Sequence, residues 1–200
     1  EWLEYPIMLN APGFGPFARD DFWSDSRHLG PDLGPKQVDR LSRYLRGGGF
    51  MFIEGNPWYL RKMVSNLRTA LGGEGRLLRV PLDHPIYHSY YDFPGGFPGE
   101  RRMRTDLSET SHDPWYYPDL ATLYNSPYSG LWGVEWESEL VAVFSPQQIL
   151  GLAPPMINSA KLIGHEDVSR EEMNTPWLRA ATNIVVYALT RSGSVAEQRT

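Results

Sequence analysis

The sequence predicts an α/β domain in three layers, a parallel sheet flanked by helices and joined by long irregular loops. Three observations point there. Apolar runs and amphipathic stretches alternate as strand, helix, strand, helix, strand over residues 5–80, the order that builds parallel sheets. FMFIE (50–54) runs apolar without alternation up to its last residue, as a strand covered on both faces must. Each of the first two helical patterns ends in glycine shortly before a strand begins.

The elements follow in order. YPIMLN (5–10) is a short apolar run bounded by Pro-Gly and reads as a buried strand. Residues 13–34 have no usable period, and a loop of that length usually has a function. In the next segment Val38, Leu41 and Leu45 share one helical face with Tyr44 beside them. Pro35 suits the first helical position, and Gly47, Gly48 and Gly49 supply left-handed conformations for the exit. FMFIE follows at once as a strand. A second helix buries Leu60, Met63, Val64, Leu67 and Leu71 and ends at Gly72, and GRLLRV (75–80) is a third strand. Residues 97–133 are mostly irregular and rich in Pro, Tyr and Asp. SELVAVFS (138–145) is a further strand. TPWLRAATNIVVYALT is a helix capped by Thr175, with Pro176 at its first position and Trp177, Ala181, Ile184 and Ala188 along one face. Residues 1–190 read as a single domain and 191–200 as a flexible polar tail.

Composition narrows the function classes. The chain has 200 residues, 41% of them apolar, enough for one sizeable core. The net charge of -5 argues against nucleic acid as a partner. The charge is uneven, however: the Lys36–Arg79 segment is basic, whereas Thr105–Leu150 contains no Lys or Arg. Absence of cysteine removes thiolate catalysis, disulfides and Cys-ligated zinc. No apolar run reaches transmembrane length, so no direct membrane span is expected. The chain opens on Glu-Trp-Leu without an initiator Met, as expected of a processed protein or a piece of a longer one.

In open parallel sheets, ligands bind beyond the carboxyl ends of the strands. Those ends deliver Asn10, Glu54, Asp83 with His84, and Ser145. Glu54 places a carboxylate where a buried strand surfaces, and either catalysis or capping of the next helix would use it. LDHPIYHSYYDFPGG (82–96) is the densest cluster of chemistry. His84, His88 and Asp92 are candidate metal ligands. Glu54, Asp83 and His84 are candidate catalytic residues, with a carboxylate as base or ligand and His84 as ligand or proton shuttle. The competing reading is structural. Pro85 fits a first helical turn capped by Asp83 or His84, and His88 packs among Tyr87, Tyr90 and Tyr91. The stretch lacks the glutamate of a His-Glu-x-x-His site, and His112 with Asp113 could complete a cluster only if the long loop folds back. Ser145 stands in FSPQ, outside the Gly-x-Ser-x-Gly context of a serine nucleophile. Arg101 and Arg102 beside a Gly-Pro turn are candidate binders of phosphate or carboxylate, the competing reading being a surface turn with solvated arginines, and Asn10 is a further candidate ligand-binding residue. No cofactor is expected beyond a divalent metal in the enzyme reading.

YPIMLNAPG, VDRLSRYLRGGGFMFIEG, VPLDHPIYHSYYDFPGG and ATNIVVYAL, in that order, resemble the bacterial DUF4159 family, a domain of unknown function. The resemblance covers roughly residues 5–96 and 174–189. It implies a flavodoxin-like, class I glutamine amidotransferase-like fold, with a missing or divergent first strand–helix unit. It also implies a bacterial cell-envelope or periplasmic setting. The chain departs from the family where Glu54-Gly55 replaces aspartates and Glu137-Ser138-Glu139 replaces Gly-Arg. Glutaminase chemistry of the fold relatives needs a cysteine, which is absent here. The leading expectation is a noncatalytic binding or assembly module engaging a protein partner or a second copy of itself. The alternative is a metal-assisted hydrolase or lyase.

Overall fold

The structure, a computed structural model, describes residues 5–10, 32–54, 57–98, 113–116, 130–145, 149 and 170–194. Among these residues, five strands form one sheet: β1 (Ile7–Asn10), β2 (Phe50–Glu54), β3 (Arg76–Arg79), β4 (Trp132–Trp136) and β5 (Glu139–Ser145), in the order β1-β2-β5-β4-β3. Three α-helices of the described residues accompany them: α1 (Pro35–Arg46), α2 (Pro57–Ala70) and α3 (Arg170–Thr190).

The sheet is mostly parallel. β1, β2 and β5 run side by side in one direction. β4 is antiparallel to both β5 and β3, so β3 returns to the direction of the first three. The expectation of a wholly parallel sheet is corrected at β4, within and just beyond the segment read as irregular. β4 and β5 form a hairpin whose two loop residues, Glu137 and Ser138, both have positive φ, at 51° and 67°. That backbone matches the right-handed twist of the flanking strands. A register shift between Val134 and Glu135 marks a bulge. The successive residues Val141 and Ala142 accordingly both enter the same core.

Each face of the sheet carries its own core. Met51, Ile53, Ala142 and Phe144 pack on one face with Leu41, Tyr44 and Leu45 of α1 and with Leu60, Val64 and Leu67 of α2. Phe50, Phe52 and Val143 pack on the other with Ala180, Ile184 and Tyr187 of α3 and with Ile86, Tyr87 and Phe97. The side chains of β2 thus alternate between two apolar layers, which is why FMFIE shows no polar alternation.

The join between α1 and β2 is tight. Gly49 N–H donates to the Tyr44 carbonyl at 2.9 Å, and Gly48 takes a φ of 83°. The Tyr44 hydroxyl donates to the Phe50 carbonyl at 2.8 Å, and burial pushes its pKa up to about 12. A Cβ on Gly49 would meet the Tyr44 ring at 2.5 Å, so glycine is required there for close approach, whereas the turn requires it at Gly48. Of the three glycines expected to turn left-handed, only Gly48 does so; Gly47 has φ -86°.

α3 begins at Arg170, upstream of the expected cap, so Thr175 does not cap it and Pro176 lies inside it. Arg191 and Ser194, expected in a frayed tail, are buried. Arg191 Nη2 donates to the Gly48 and Gly49 carbonyls at 2.9 Å each, tying the end of α3 to the α1–β2 join. Among the described residues, no helix is long and apolar enough to cross a membrane.

Candidate functional site

The carboxyl edge of the sheet is built by β1, β2, β5 and the segment leaving β3. Asn10 ends β1 opposite Ile53, and its side chain lies outside the described residues. Glu54 ends β2 and pairs in register with Ser145 at the end of β5; both are completely buried. A carboxylate is rarely fully buried, which makes Glu54 the most unusual polar group at this edge among the described residues.

Beyond β3, Val80 N–H donates to the Leu131 carbonyl at 2.9 Å, and the chain turns at Pro81. A single 3-10 turn follows at Pro85–Tyr87, with His84 as its cap. His84 Nδ1 accepts from Ile86 N–H at 3.1 Å. Its ring stands edge-on to Tyr187, centroids 5.2 Å apart. Desolvation by burial lowers the His84 pKa from 6.5, opposed by the nearby charges of Asp83 and Glu135. Of the two caps considered from sequence, the structure selects His84.

His88 sits between two acceptors. Its Nε2 faces the Leu82 carbonyl at 2.7 Å and its Nδ1 faces Asp92 at 2.5 Å. Both ring nitrogens can serve as donors only in the imidazolium. The bond to Leu82, then that to Asp92, raises its pKa from 6.5. His88 is therefore bound to Leu82 and Asp92, a different role from packing among the tyrosines. His88 and Asp92 meet, but His84 uses Nδ1 on backbone. Among the described residues no group of three or more His, Asp or Glu side chains could hold a metal ion. Asp83 is exposed.

The remaining expected residues fall elsewhere. Arg101, Arg102 and His112 lie outside the described residues. Asp113 pairs with Arg68 of α2 at 3.1 Å and accepts from Trp115 N–H at 3.0 Å. It therefore braces α2.

Asn183 was not singled out from the sequence, yet it organises the segment. It is fully buried on α3. Its Oδ1 accepts from Tyr91 N–H at 2.7 Å, and its Nδ2 donates to the Tyr91 and Ile86 carbonyls at 2.8 and 3.2 Å. The Ser89 hydroxyl donates to the Asn183 carbonyl at 2.8 Å. One amide thus gives the loop the backbone bonds it would otherwise lack. The available signal was a polar residue at a core position of the helical pattern, between Ala180, Ile184 and Tyr187.

The clamped segment presents aromatic surface. Tyr90 is 67% exposed and stands T-shaped on Tyr91 at 4.8 Å. Arg179 of α3 lies over the Tyr91 ring at 5.2 Å. Leu178, beside it in sequence, is 56% exposed.

A family model described as a domain of unknown function, DUF4159, matches residues 22–189. No curated protein matches the chain.

Proposed function

The chain belongs to the DUF4159 family, and we propose that it is a noncatalytic binding or assembly module whose docking face is the tyrosine-bearing segment between β3 and Gly96. The observation that carries this reading is the use made of the segment's chemistry. His84 Nδ1 and both ring nitrogens of His88 bond internally, and Asn183 fixes the backbone. What faces outward is the exposed Tyr90 and Arg179, each in contact with the half-buried Tyr91 ring. Tyr and Arg dominate the energetics of protein interfaces, and a pre-set surface loses little entropy on binding. A protein partner, or a second copy of the chain, suits that surface. The glutamine amidotransferase-like form of the α/β fold and a bacterial cell-envelope setting belong to the same proposal and rest on the resemblance.

Glu54 favours a second reading. A buried carboxylate beside Ser145 at the carboxyl edge suits a metal-assisted hydrolase or lyase, with Asp83 and His84 brought in on ligand binding. In that reading Asn10, Arg101 and Arg102 would hold a small ligand. Elemental mass spectrometry on untagged protein purified without chelator separates the two. Near-stoichiometric zinc, iron or manganese, lost in Glu54→Gln, supports the enzyme. Background metal leaves the module, which is then tested by quantitative capture from the host extract. A partner retained by the wild type and depleted about tenfold or more by Tyr90→Ala with Arg179→Glu supports this docking face. Identical capture by both proteins rejects it.

A further inference from the structure

The opposite edge of the sheet holds a second feature, independent of the reading above. A cleft of about 190 Å³ opens where β2 and β5 begin and β4 ends. Its walls include Arg46, Trp136, Glu137, Glu139 and Arg191. We propose that this cleft binds a small zwitterion of the α-amino-acid class, its carboxylate held towards Arg191 and its ammonium towards Glu137 and Glu139.

Arg191 carries the argument. It is only 7% exposed, and a cation that deeply buried is costly unless paired. A guanidinium has five N–H donors. The bonds of Arg191 run from Nη2 to the carbonyls of Gly48 and Gly49, and the guanidinium lies over the Phe50 ring at 5.7 Å; its Nε, itself sealed from solvent, has no hydrogen-bond partner among the described residues. Burial lowers the Arg191 pKa, and Tyr187, then Glu139 and Tyr44, act in the opposite sense. A bound carboxylate would add a countercharge in direct contact to the field of Glu139.

The other walls narrow the ligand class. Arg46 is already engaged: it donates to Glu74 at 2.9 Å and to the Leu71 carbonyl at 3.1 Å, and it stacks on Trp136 at 4.9 Å. It forms a fixed wall, with Trp136 Nε1 also donating to Glu74 at 3.1 Å. Glu137 and Glu139 would repel a phosphate or other dense anion. Arg191 would repel a simple amine. A molecule with both charges satisfies both sides. The volume, the share of about six water molecules in the liquid, leaves room for glycine and for larger amino acids.

The test is an NMR titration of the full chain, following the Trp136 indole N–H, identified by its loss in Trp136→Phe. Four probes are added separately: glycine, acetate, methylammonium and inorganic phosphate. Glycine is expected to shift the signal saturably. Acetate, methylammonium and phosphate should each bind about tenfold more weakly or worse, a difference of about 1.4 kcal/mol. Glu139→Gln should weaken glycine by a similar factor while leaving the spectrum folded. Equal binding of acetate or phosphate overturns the proposal in favour of a plain anion site. An undiminished glycine response in the doubly substituted Glu137→Gln, Glu139→Gln chain overturns it too, as does the absence of any saturable shift in the folded wild type. Because rim residues are substituted, the test does not depend on a variant of Arg191 remaining folded.

Discussion

His84 and His88 stand four residues apart in one turn yet have opposite electrostatic assignments. His84 is half-buried against Tyr187 and its pKa is lowered, mainly by desolvation. His88 is bonded to Leu82 and Asp92 and its pKa is raised. The signs of their pH effects follow from linkage. A raised folded pKa gives stability that is complete below the unfolded value near 6.5 and fades as pH rises through the folded value. A lowered folded pKa gives stability that is complete above 6.5 and fades as pH falls through the folded value. His88→Gln should therefore destabilise more at about pH 5.5 than at about pH 8.5, whereas His84→Gln should show the reverse order. Urea denaturation at the two pH values checks this, and histidine ring NMR should show the His88 value falling in Asp92→Asn. The role of His84 was partly legible, because Pro85 marks a helical first turn and leaves the preceding residue as cap. That of His88 was not, and for Asn183 only its place on the buried helix face was. His88 bonds a carbonyl six residues away, and Asn183 bonds groups more than ninety residues away. Local pattern carries no trace of either pairing.

At the scale of elements, legibility tracked how local the determining contacts are. α1, β2 and α2 follow from period, Pro35 and the glycine exits, because helical stripes and cap chemistry are written within each segment. β4 escaped because WGVEW is short and contains glycine, a weak strand former. Its Gly133 has a tertiary reason: a Cβ there would meet Leu140 at 2.5 Å and Val80 at 3.1 Å. The hairpin that sets β4 beside β5 turns through Glu137 and Ser138, neither of them a residue favoured at positive φ. Ser138→Gly should therefore stabilise the fold by about 0.5 kcal/mol, the relief of left-handed strain less the greater entropy of unfolded glycine. A lower melting temperature would mean that Ser138 makes a compensating bond in solution. The α1–β2 join behaves in the opposite way. Gly49→Ala drives a methyl into the Tyr44 ring, which is itself held by its bond to Phe50. A loss of about 2 kcal/mol is expected in denaturant titration. Tyr44→Leu combined with Gly49→Ala should recover the steric part, since the ring is then absent.

For the whole molecule, strand direction was more legible than strand order. β1, β2, β3 and β5 do run the same way, as alternation with helices implies, but β4 wedges between β5 and β3 and makes the sheet mixed. The two cores differ in how they are closed. α1 and α2 cover one face as regular helices, whereas the other is covered by α3 together with the loop that contains Ile86, Tyr87 and Phe97. That loop is held by turn-type backbone bonds, among them Phe93 N–H to the Tyr87 carbonyl, rather than by a strand ladder, and Asn183 bonds it to α3. The second cover should therefore open as one unit, at a lower free energy than the sheet. Asn183→Leu keeps the helix and its apolar face but leaves the Tyr91 amide and the Ile86 and Tyr91 carbonyls without their partner. A loss of about 3 kcal/mol is expected. Hydrogen exchange should then quicken together in residues 84–92 and in α3, while the amides of β2, α1 and α2 change only through global unfolding. If exchange quickened in the loop alone, α3 would be held by its apolar contacts and the clamp would serve only the turn. If it quickened uniformly, the two faces would form a single cooperative unit, and the tyrosine surface would be as rigid as the sheet that carries it.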